Sequence, residues 1–167
     1  FQLELPNSLP DGFGPDFTFE PPPQDALQEF EYWYSNAQLL ISTMAGKDER
    51  SSALRCWPHH FDLASLITLE EHTDPDQAKY VNIGFSPGDE TYGFPYLYVT
   101  PWPLPDINPN LLPNLGGNGF WHTKGWTGSI LTLQQLSAST DRKEQAKQAY
   151  AFTSSALEFN QMLIPET

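Results

Sequence analysis

Arg55-Cys56-Trp57-Pro58-His59-His60-Phe61-Asp62-Leu63-Ala64-Ser65-Leu66-Ile67-Thr68-Leu69 is the stretch whose reading decides the fold. Leu63, Ile67 and Leu69 alternate with Ala64, Leu66 and Thr68, with β-branched residues among them, so residues 53–70 are expected to form a strand. Alternate side chains on a strand share a face. His59, Phe61, Leu63, Ile67 and Leu69 then make an apolar side expected to meet the core, and His60, Asp62, Ala64 and Thr68 the other. That second side sets an imidazole and a carboxylate about 7 Å apart at Cα, from a rise of roughly 3.3 Å per residue.

Outward from this strand, further strands are expected over 80–85, 94–100 and about 127–133. The connections Ser86-Pro87-Gly88-Asp89-Glu90 and residues 101–119 are rich in turn residues and too long for two-residue hairpins. Before the strands, Leu27, Phe30, Tyr34, Ala37, Ile41 and Met44 recur at helical spacing, with Asp25 expected as N-cap and Gly46 as stop. Phe30, Tyr32, Trp33 and Tyr34 are too broad for one stripe, so this helix is expected to be covered on more than one side. After the strands, Asp141 and Glu144 resemble a capping box, and Ala146, Ala149, Phe152, Ala156, Phe159 and Leu163 hold a helical period up to Pro165. Strands without helical crossovers argue for an antiparallel sheet. The expectation is an α+β domain over residues 25–167: about four antiparallel strands flanked by an N-terminal and a C-terminal helix. Residues 1–24, with Pro21-Pro22-Pro23, are expected to be an extended lead-in with a short strand at 1–5.

The chain of 167 residues is long enough for one core without staples. Its formal charge of −13 comes from scarce Lys and Arg rather than abundant acids, since charged residues reach only 17%. No basic patch occurs, which excludes nucleic acid and anionic membrane surfaces as natural partners. No apolar run approaches the roughly 18–20 residues a membrane span needs. Cys56 is the one cysteine, so no internal disulfide forms; it is expected to be a buried, inert thiol. The sequence reads as a soluble, cytoplasmic protein. It begins at Phe1 without a signal-like segment, which is expected of a processed chain or of a part of a longer one.

Three segments carry candidate chemistry. His60 and Asp62 fit two ligands of a divalent metal, an imidazole oriented by a carboxylate for proton transfer, or a structural corner in which Asp62 holds backbone amides. A third metal ligand is sought in His122, Glu90, Asp89 or His72. The loop at 86–90 offers Glu90 and Asp89 to a ligand, or simply turns the chain. Phe120-Trp121-His122-Thr123-Lys124-Gly125-Trp126 makes an aromatic wall beside a polar group, or an edge capping the sheet.

The helix over 25–46, His60-Phe61-Asp62-Leu63-Ala64, Gly84-Phe85-Ser86-Pro87-Gly88-Asp89-Glu90 and Pro95-Tyr96-Leu97-Tyr98 together resemble the C-terminal half of a bacterial family known only as a domain of unknown function. The resemblance spans roughly residues 25–135. Members of that family run longer, so the resemblance implies the same element order and a partner domain or chain that completes the sheet; it implies no activity.

Three functions follow as expectations. The first is a small-molecule-binding or metal-assisted enzymatic domain, with His60, Asp62 and His122 as catalytic or metal-ligating residues and Tyr96, Tyr98, Trp121, Trp126 and Glu90 binding the ligand. The second is a non-catalytic recognition module with a flat aromatic row. The third is a structural half of a larger assembly or homo-oligomer, with a bare apolar face.

Overall fold

The computed structural model describes residues 20–58 and 60–164. The strands are β1 (Arg55–Trp57), β2 (Asp62–Glu70), β3 (Lys79–Ser86), β4 (Tyr96–Trp102), β5 (Phe120–His122) and β6 (Gly128–Thr132). They form one antiparallel sheet ordered β1-β2-β3-β4-β6-β5. The helices are α1 (Gln24–Ala45), the short α2 (Leu133–Leu136) and α3 (Arg142–Met162). The α+β class and the antiparallel pairing are as expected. The strand count is six among the described residues, not about four.

One of the two extra strands comes from the quoted stretch itself. Trp57 pairs with Asp62, so residues 58–61 reverse the chain and 53–70 is a hairpin rather than one strand. Pro58 lacks the N–H that a ladder needs. Phe61 takes a left-handed backbone, φ 58°, and its ring is 62% exposed instead of facing the core. The other extra strand is β5, at the sheet edge, in the segment expected to be an aromatic wall or an edge capping the sheet. His59, and the strand proposed at 1–5, lie outside the described residues.

Alternation along the strands sorts the sheet into two faces. Ile67 of β2, Val81, Ile83 and Phe85 of β3, Leu97 and Val99 of β4 and Leu131 of β6 point one way. Against them pack Ala37, Leu40, Ile41 and Met44 of α1 and Phe152, Ala156 and Leu157 of α3. Both long helices therefore lie on one face, and the core is the layer between. Among the described residues, the opposite face carries no α-helix.

The helix ends depart from expectation in detail. Pro23 occupies the N-cap of α1, while the Asp25 carboxylate accepts from the Ala26 amide inside the first turn. Asp141 does cap α3, accepting from the Lys143 amide at 2.8 Å, but Glu144 pairs with Lys147 instead of closing a box. The reciprocal capping box belongs to Thr132 and Gln135, at the start of α2. The outer side of α1 is not covered by the described residues: Leu27, Phe30, Tyr32 and Leu39 are 49–65% exposed. No described helix is long and apolar enough to cross a membrane.

Candidate functional site

The helix-free face of the sheet gathers most of the candidate residues. Register aligns them in rows across the strands. Ala64, Gly84, Tyr98, Ile130 and Phe120 make one row. Ser86, Tyr96 and Thr132 make the next, with Asp62 at its β2 end beyond the Leu63–Phe85 pair. Leu66, Asn82 and Thr100 lie on the other side, then Thr68, Tyr80 and Trp102.

Glycine makes the central contact possible. A Cβ on Gly84 would sit 2.3 Å from Cζ of Tyr98 and 2.4 Å from its hydroxyl, so only glycine lets the ring lie flat across β3. The Tyr98 hydroxyl thereby reaches from β4 over β3 to β2 and donates to Oδ2 of Asp62 at 2.9 Å. Gly128 serves Trp126 in the same way: a Cβ there would lie 2.5 Å from the indole.

Two carboxylates anchor this face in different ways. Burial pushes Asp62 above the usual carboxylate range, and the hydrogen bond from Tyr98, the charge of His60 and the Ser86 hydroxyl offset that only in part. Its second oxygen, Oδ1, is buried without a hydrogen-bond partner. Burial acts upward on Asp89 as well, but the Tyr96 hydroxyl and the amides of Tyr92 and Thr91 outweigh it, and Asp89 is held low. Tyr96 donates to Asp89 Oδ2 at 2.5 Å, and Thr91 and Tyr92 donate to Oδ1 at 2.7 and 2.8 Å. Asp89 thus closes its own loop onto β4. Burial raises Tyr96 and Tyr98, and the adjacent carboxylates raise them further, so both phenols stay protonated.

The His60 of the expectation does not sit on a strand; it lies in the 58–61 turn, close enough for its charge to act on both Asp62 and Asp89. From α1, the Tyr34 hydroxyl donates to the Phe61 carbonyl at 2.7 Å and pins this turn. Burial, with the nearby Cys56 and Asp62, pushes Tyr34 up to about 12. Cys56 is exposed on β1, contrary to the buried thiol expected.

His122 belongs elsewhere on the face. Its Nδ1 meets the Tyr92 hydroxyl at 2.8 Å, its Nε2 meets the Lys124 carbonyl at 2.8 Å, and its ring stacks on Trp126 at 4.1 Å. Four strand spacings separate β2 from β5, about 19 Å, so Asp62 and His122 cannot share one ion. Among the described residues no group of three or more His, Cys, Asp or Glu is placed to hold a metal, and the His60, Asp62 and His122 set is not assembled. Trp121 faces away from His122: it pairs with Ser129, on the helix side, and its indole donates to the Pro113 carbonyl at 2.8 Å. Glu90 is exposed at the tip of the Asp89 loop.

The sequence reading missed the far end of the face. Tyr80 stacks on Trp102 with centroids 6.2 Å apart, beside a hollow of about 600 Å³ lined also by Leu66, Thr68, His72 and Asp76. Asn82 lies between this hollow and Tyr98, and its Oδ1 is buried without a partner, as is Nε1 of Trp102. A signal was present. Tyr80, Asn82, Gly84 and Ser86 alternate with Val81, Ile83 and Phe85, which marks a polar face of period two.

No protein-family model, curated protein or solved structure matches this chain at a significant level.

Proposed function

We propose that this chain is a recognition domain that binds a small hydroxyl-rich ligand of sugar type on the helix-free face of its sheet. One observation carries the reading. Of the four buried side-chain polar atoms without a partner among the described residues, three belong to this face: Asp62 Oδ1, Asn82 Oδ1 and Trp102 Nε1. Buried polar groups are otherwise almost always satisfied. Two of the three need a donor and one needs an acceptor; a hydroxyl supplies both, whereas an ammonium supplies donors alone. The stacked Tyr80–Trp102 pair beside its hollow offers the apolar surface against which the C–H face of a sugar ring packs. Ligand hydroxyls reach Asn82 Oδ1 and Trp102 Nε1, which lie in adjacent rows, by shifting the rings above them. Asp62 lies roughly 20 Å from the Trp102 row along the strands and takes part only with a ligand of several sugar units. The carboxylates on and around this face, Asp62, Asp76 and Asp89, disfavour anionic ligands there.

The test is calorimetry and NMR titration against a panel of neutral monosaccharides and their amino and phosphorylated counterparts. Neutral sugars are expected to perturb the Trp102 indole and Asn82 amide resonances. Trp102→Phe keeps the ring but removes the donor, and is expected to weaken binding about tenfold, the worth of one buried hydrogen bond. If phosphorylated sugars bind best, or no sugar moves those resonances, the reading is wrong.

A second reading rests on the opposite shifts of Asp62 and Asp89, a pattern that elsewhere separates general acid from general base. In it Asp62 delivers a proton and His60 assists. It requires measurable hydrolysis of a glycoside bound on this face, abolished in Asp62→Asn with binding retained.

A further inference from the structure

On the other side of the sheet, the middle of α1 and the N-terminal half of α3 enclose a groove of about 650 Å³. Phe85, Leu97 and Leu136 form its floor, Trp33 and Leu40 its α1 wall, and Ala146 stands on the α3 wall. Tyr32 and Leu39, which also line it, are 59% and 65% exposed. The volume falls in the range of small-molecule pockets, and a cleft between helices is a usual place for one.

Arg142 stands at this groove in the first turn of α3. It makes no ion pair among the described residues, in a chain with only 8 Lys and Arg against 21 Asp and Glu. With so many carboxylates present, an unpaired guanidinium beside an apolar cleft is set up for a carboxylate from outside, since its planar fork accepts one bidentately. Glu29, on the α1 side of the same groove, is the one acidic lining residue, and it repels an anion placed near it. Apolar floor and basic rim together define an amphipathic acid. We propose that this groove binds a medium-chain fatty acid, with the alkyl chain over Phe85, Leu97 and Leu40 and the carboxylate on Arg142. Tyr96 lines this groove and also belongs to the open face, but Tyr80, Asn82 and Trp102, on which the recognition reading rests, do not line it.

The two rim charges make opposite demands, which gives the test its sign. Titration calorimetry of the full chain uses decanoate, with decanol and decyltrimethylammonium as matched probes of the same chain length. Decanoate is expected to bind saturably, at least about tenfold tighter than either, a factor within reach of one charge-assisted bidentate pair. Arg142→Gln should erase that preference, and Glu29→Gln should strengthen decanoate binding. Ala146 is exposed, so Ala146→Trp fills the groove without entering the core and should abolish binding of decanoate, with the fold checked by circular dichroism. Equal binding of decanoate and decanol overturns the head-group assignment, as does an Arg142→Gln variant that keeps the preference. Binding unchanged in Ala146→Trp, no saturable binding at all, or a wild-type dimer that Ala146→Trp dissociates removes the site.

Discussion

Asp62 concentrates the chemistry of the open face in one side chain. Its Oδ2 accepts from Tyr98 while its Oδ1 is buried and unpartnered, so the carboxylate has lost water without full replacement. Its ionisation is disfavoured in the folded state, and the folded chain holds that proton more tightly than the unfolded chain does. The corresponding stability is complete at and below the ordinary carboxylate range and is lost as pH rises through the raised value. Asp89 acts with the opposite sign, stabilising above the ordinary range and losing that contribution as pH falls. Asp62→Asn keeps an acceptor for Tyr98 and removes the titration. Urea midpoints measured from about pH 4 to pH 7 should therefore decline more for wild type than for this variant; parallel curves would contradict the burial of Asp62. The acid-rich site was legible at Asp62 because the period-two pattern assigns its face. His60 was not, because the reversal at 58–61 places a Phe, rather than Gly or Asn, in its left-handed position and leaves Pro58 as the sole local sign of a turn.

At the level of elements, the face is organised by small residues under large rings. β4 pairs with β3 so that Tyr98 stands opposite Gly84, and with β6 so that Ile130 backs the same ring. An alanine at 84 would meet the Tyr98 ring at 2.3 Å, too close for any local adjustment short of swinging the ring away from Asp62. Gly84→Ala is expected to cost about 2–3 kcal/mol, from overpacking and the lost hydrogen bond together. Gly93, where an added Cβ meets nothing within 4 Å, is the control and should change little. Chemical denaturation of the two variants settles the matter, and equal midpoints would mean that the ring does not need the glycine. The two long helices and the three longer strands were legible because their periods extend over many residues. β1 and β5 have only three residues each, too few for a period to show, and pairing to a longer neighbour is what makes them strands.

Taken whole, the molecule is a two-layer sandwich with helices on one side of the sheet and an aromatic, acidic face on the other. Its formal charge is −13, and the described residues contain three ion pairs, two of them largely exposed. Exposed pairs contribute little, so unscreened repulsion among carboxylates dominates the electrostatics of folding. Raising ionic strength from about 0.01 to 0.15 M shortens the screening length from about 30 to 8 Å and is expected to raise the melting temperature by a few degrees. A fall over that range, read by scanning calorimetry, would show that attractive pairs outweigh the repulsion. The sequence by itself determined the α+β class, the two long helices, the polar side of β2 and the shortage of cations, because each is carried by local periodicity or by counting. Only the tertiary structure decided that Tyr98 reaches Asp62 across β3, that His122 lies four strand spacings from Asp62, that Trp121 turns to the helix side, and that Arg142 borders an apolar groove. Those meetings depend on strand order, register and the placement of the two helices, which arise from packing distant segments together and leave no trace in any local pattern.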